Sequence, residues 1–136
     1  MDLYIKSWAF WAPEPGEDNA IPSLSAVPPM MKRRLSKLTK LAFHSAMAVQ
    51  PDTKLPCIFA SRHGDLHKTL ELLQHVAEKQ SLSPTLFALS VHNAISGQYS
   101  IFSQNPADSN AIAAGADSLH YAIMEAGARL LTEPEL

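Results

Sequence analysis

The stretch Ala113-Ala-Gly-Ala-Asp-Ser-Leu-His120 decides how this chain is read. Just before it, Asn110 to Ala114 is short and uncharged, the composition of a buried strand. Just after it, Leu119, Ala122, Ile123, Ala126 and Leu130 recur at helical spacing and predict a helix from Ser118 to Leu131. Gly115-Ala116-Asp117 is then a tight strand-to-helix junction. Such a junction has the shape of a nucleophile elbow. It aims a side chain at the N-terminal end of a helix, where unpaired N–H groups and the helix dipole lower the pKa of a thiol. The apex here is Gly115, which presents no nucleophile, and the single cysteine, Cys57, falls in another predicted strand.

Working outward, Pro56-Cys-Ile-Phe-Ala-Ser61 is a second short uncharged run that breaks sharply at Arg62-His63-Gly64, as a buried strand entering a turn does. A helix follows from near Asp65, a suitable N-cap, with Leu66, Leu70, Leu73 and Ala77 as its stripe and Leu72 and Val76 beside it. No charged residue stands between Gln80 and Ala107, yet the serines, His92, Asn93 and Gln98 keep that stretch too polar to cross a membrane. Within it, Val91 to Phe102 is predicted as a helix buried on all sides, with Ala94, Ser96 and Gly97 permitting close backbone approach. Asn105-Pro-Ala-Asp108 reads as a turn.

Toward the N-terminus, Met31, Leu35, Leu38, Ala42 and Ala46 predict one helix from Met30 to about Val49, entered through Pro28-Pro29. Arg33, Lys37 and Lys40 fall together on its opposite side. Five of the ten prolines and both tryptophans precede Met30, so residues 1–29 read as an extended segment, Leu3 to Ala12, followed by an irregular proline-rich connection. The order strand, helix, strand, helix, helix, strand, helix indicates a layered α/β architecture. At 136 residues, a single domain spanning 1–136 is expected.

Composition narrows the function classes. With 46% hydrophobic and 18% charged residues the chain is too apolar for a disordered tail, and its net charge of -2 provides no overall field for nucleic acid or anionic lipid. One cysteine cannot build a disulfide framework or a thiolate-rich zinc site. The start Met1-Asp-Leu-Tyr-Ile-Lys-Ser-Trp8 lacks the apolar core of a signal peptide, so a soluble protein of the reducing cytoplasm is expected.

Several constellations could carry chemistry. A strand that delivers Arg62-His63-Gly64 is how histidine phosphatases present a phosphate-accepting imidazole, but that chemistry needs a second histidine and a second arginine in the same pocket. Arg129 is the only arginine downstream. His63, His67 and His75 share a spacing that could face a metal, yet no clustered carboxylate or thiol completes the set, so no metal is expected. His92-Asn93 sits in the uncharged stretch, where a buried imidazole and amide must both be hydrogen-bonded; they serve either the core or the lining of an interface or pocket. Arg33, Lys37 and Lys40 form either a solvated face or a docking face for an acidic partner.

The segment Ser83-Pro-Thr-Leu-Phe-Ala-Leu-Ser-Val-His-Asn-Ala-Ile-Ser-Gly-Gln-Tyr-Ser-Ile101, followed by Ala111-Ile-Ala-Ala-Gly-Ala-Asp-Ser-Leu-His120, resembles the N-terminal half of β-ketoacyl synthases. In particular it resembles the β-ketoacyl-synthase-like proteins encoded with aryl polyene pathways. Trp11-Ala-Pro13, Met31-Lys-Arg-Arg-Leu35 and Phe59-Ala-Ser-Arg-His-Gly-Asp-Leu66 extend the likeness over essentially the whole chain, and Ser90-Val-His-Asn-Ala94 is its most specific motif. In ketosynthases the nucleophilic cysteine lies four residues before an apolar residue, which puts its position at Gly115, counting back from Leu119.

The resemblance implies a thiolase-like fold of which this chain supplies the first half. On that resemblance the second half, which carries the catalytic histidines of a ketosynthase, is expected to be absent, the sequence ending at Glu133-Pro-Glu-Leu136. It also implies a chain length factor: a ketosynthase relative without the cysteine that forms a heterodimer with an active β-ketoacyl synthase and shapes the acyl tunnel in polyketide or fatty-acid-like biosynthesis. On that reading the chain is no enzyme and binds no cofactor. His92, Asn93, Gly97, Asp117 and Leu119 would line the interface or the tunnel, and an acyl carrier protein is a candidate for the basic helix. The competing reading is an enzyme in its own right, a divergent acyltransferase using His92 and His63 or a phosphatase using His63.

Overall fold

A computed structural model describes residues 4–17, 20–49 and 54–133. The chain divides into two compact units, Met1–Thr53 and Lys54–Leu136.

In the first unit, Tyr4 to Ala12 forms neither helix nor strand, and Leu3 lies outside the described residues. The single helix expected over Met30–Val49 is two: a turn α1, Pro29–Lys32, and α2, Lys37–Val49. Ser36 makes the break. Its Oγ accepts from the Thr39 N–H at 3.1 Å and lies 2.9 Å from Thr39 Oγ1, so it caps a new helix start, which the helical spacing of apolar residues does not reveal. Leu24, Val27, Leu35 and Phe43 are buried, Phe43 completely. Trp11 meets His44 edge-on with ring centroids 5.3 Å apart.

The second unit is built on two parallel strands, β1 Cys57–Ala60 and β2 Ser109–Ile112, in the register Cys57 to Ser109 through Ala60 to Ile112. Between them run α3 Leu66–Ala77, α4 Pro84–Ser90 and α5 Ala94–Ser103; after β2 come a 3-10 turn, Gly115–Asp117, and α6 Ser118–Thr132. Alternate strand residues point to opposite faces. Phe59 meets Tyr99 of α5 at 5.7 Å between ring centroids, while Asn110 donates from Nδ2 to Glu125 Oε1 of α6 at 2.9 Å. Helices α5 and α6 therefore cover opposite faces of the sheet, which is the layered α/β arrangement expected.

Three expectations change. The helix expected from Val91 begins at Ala94, and it is buried on one face only, by Ile95, Ser96 and Tyr99; Ile101 is 78% exposed. Its hydroxyls need no interior partner because they bond the nearby backbone: Ser96 to the Asn93 carbonyl, Ser103 to that of Tyr99 and Ser100 to that of Asn105. An uncharged helix is thus not a helix buried all round. Helix α4 was not expected; its signal is Ser83, whose Oγ accepts from the Leu86 N–H at 3.3 Å, followed by Pro84 at the first helical position. Finally, the apolar stripes of α3 and α6 face outward. Leu66, Leu70, Leu73 and Val76 are exposed while Leu72 is buried, and on α6 Leu119, Ile123 and Leu130 are about half to two-thirds exposed. Beside the buried Gly127 and the half-buried Ala122 and Ala126, the α6 residues that bond inward are Ser118, Glu125 and Arg129, to the junction, Asn110 and Asp108 respectively.

Candidate functional site

The C-terminal ends of both strands meet at one edge of the sheet, and ligands of open α/β sheets bind outside the carboxyl ends of their strands. Ser61, one residue past β1, donates its N–H to the Ile112 carbonyl at 3.0 Å. From Ile112 the chain passes Ala113 and Ala114 into Gly115, whose φ of 58° lies in the left-handed region that favours glycine. A side chain built at Gly115 would meet nothing within 4 Å. The junction thus retains the shape of an elbow, with its apex directed into open space.

Ser118 locks that shape. Its Oγ accepts from the Ala114 N–H at 3.0 Å and donates to the Gly115 carbonyl at 2.9 Å, and the Asp117 N–H closes the turn on the Ala114 carbonyl at 3.0 Å. Ser118 is buried, so these bonds are shielded from water. Sequence reasoning passed over Ser118. Its signal is a small hydroxyl residue three positions beyond the junction glycine, within reach of the last carbonyls of the turn. Asp117 is exposed and pairs only weakly with His120, at 3.8 Å; Leu119 is exposed beside it.

His92 reaches the same edge from the short link between α4 and α5. Its Nε2 is 2.8 Å from the Ser61 carbonyl, and its Cα and Cδ2 lie 3.4 and 3.5 Å from where a side chain of Gly64 would begin. Gly64, with φ of 62°, is buried and donates its N–H to Ser61 Oγ at 2.7 Å. The imidazole ties the α4–α5 link to the end of β1. Asn93 and Gly97 are exposed; the Asn93 carbonyl receives Ser96 Oγ and the Gly97 N–H, and nothing lies within 4 Å of the Gly97 side-chain position. The structure therefore brings His92 and the Gly115 junction to one edge of the sheet.

Other sequence candidates lie elsewhere. Arg62 and His63 are exposed at the C-terminal edge, whereas Arg129 pairs with Asp108, just before β2, at 3.4 Å and with Glu125 at 3.5 Å. The second arginine of a phosphatase pocket is thus at the opposite end of the sheet. Among the described residues no three His, Cys, Asp or Glu side chains come together in a metal-holding group. Asp65 stands at the N-cap of α3 but makes no capping bond, and its buried Oδ1 has no partner. Arg33 closes α1 and Lys37 opens α2, so the break at Ser36 separates them; both are exposed, and Lys40 is half-buried.

Cys57 points to the α5 side, into a shallow depression lined by Phe59, Ser96, Tyr99, Ser100 and Asn105 that has no room for a water molecule. Burial pushes its thiol pKa up, and the Asn105 amide 3.7 Å from Sγ offsets that only in part. A thiol so placed is a poor nucleophile.

The profile of the β-ketoacyl synthase N-terminal domain matches residues 8–135. The chain belongs to the β-ketoacyl synthase family. No curated protein matches it. Among solved structures, a chain from the complex of the ketosynthase ApeO with its chain length factor ApeC, from Xenorhabdus doucetiae, is 31% identical and superposes with a TM-score of 0.78. The match covers 85% of this chain and 49% of that one, so this chain spans about half the length of its structural relative. The α5–sheet–α6 layering is accordingly that of a thiolase-like, ketosynthase-type fold, with Gly115 at its strand-to-helix junction. No helix among the described residues is long and apolar enough to cross a membrane.

Proposed function

We propose that this chain is a non-catalytic, chain-length-factor-type subunit that pairs with an active β-ketoacyl synthase in aryl polyene, polyketide or fatty-acid-like biosynthesis in the cytoplasm. The whole of 1–136 serves as one ketosynthase-like N-terminal domain. The observation that carries the reading is Gly115. Decarboxylative condensation requires an acyl thioester on a nucleophile, and the elbow that would hold it keeps its geometry but ends in a glycine. Cys57 cannot substitute, since it opens β1 at the opposite end of the sheet from the junction, and burial raises its thiol pKa. The solved complex of a ketosynthase with its chain length factor supports the choice of partner.

On this reading His92, Asn93 and Gly97 lie at the interface, Asp117 and Leu119 flank the acyl chain, and Arg33, Lys37 and Lys40 are candidates for docking an acyl carrier protein. Coexpression with an active β-ketoacyl synthase from the same source tests the proposal. The two chains should copurify, and Gly97→Trp, at a position open on its side-chain side, should abolish the complex without unfolding the chain. A ketosynthase that is soluble and fully active alone and never copurifies would overturn it.

A further inference from the structure

We draw no further inference here: the strongest candidate, the surface patch of the first unit in which the exposed Tyr4, Ile5, Trp8 and Phe10 lead into Trp11, packed on His44 of α2, carries none, because nothing in the structure shows what covers it.

Discussion

Replacing Gly115 by alanine or cysteine isolates what the elbow costs when it carries a side chain. With φ at 58°, an L-residue places its Cβ against the following carbonyl, which costs roughly 1–2 kcal/mol. No steric term adds to this, since nothing lies within 4 Å of the new atom, and the locking bonds of Ser118 go to the backbone and survive. Gly115→Ala and Gly115→Cys should therefore cost the same, about 1–2 kcal/mol in urea unfolding followed by circular dichroism. In a Cys57→Ser background the Gly115→Cys thiol should be alkylated far faster than the native Cys57 thiol. A loss above about 4 kcal/mol would mean that the site is not open, and no loss at all would mean that the positive φ is absent. A thiol at this position as slow as that of Cys57 would refute the outward-facing apex.

Other outcomes follow from single groups. Asn105→Ala removes the bond to the Leu55 carbonyl at 2.8 Å and the one received from the Ala107 N–H at 3.1 Å; it should cost about 2–3 kcal/mol by urea unfolding. Ser36→Ala deletes the cap that starts α2 and should cost about 1 kcal/mol, read as lost helicity. Burial raises the pKa of Cys57 and of Tyr99, the latter with the neighbouring Cys57 adding to it. The folded state thus keeps protons that the unfolded state releases above about pH 8.5 and 10, so stability should fall as pH rises through that range, and Cys57→Ser should remove the earlier part of the fall in pH-dependent melting.

Much of the fold was legible because its signals are local. The strands at Cys57–Ala60 and Ser109–Ile112 are short uncharged runs bounded by turn residues, and the Gly115 junction announces itself by a glycine between a strand and a helical repeat. The break at Ser36 and the start of α4 at Ser83 were also local, but they lie in single hydroxyl groups that apolar periodicity passes over. His92 was legible as a group needing a partner; that the partner is the Ser61 carbonyl, 31 residues away, was not.

By itself the sequence determined the alternation of elements, the glycine where a nucleophile would stand, and which helices carry an apolar stripe, because backbone conformation and periodicity follow from neighbouring residues. Only the tertiary structure decided which way those stripes point. Periodicity states that a helix has an apolar face, not what that face meets. On α6 the polar side chains of Ser118, Glu125 and Arg129 find partners in the junction, in Asn110 of β2 and in Asp108 just before it, and Leu119, Ile123 and Leu130 are left facing outward.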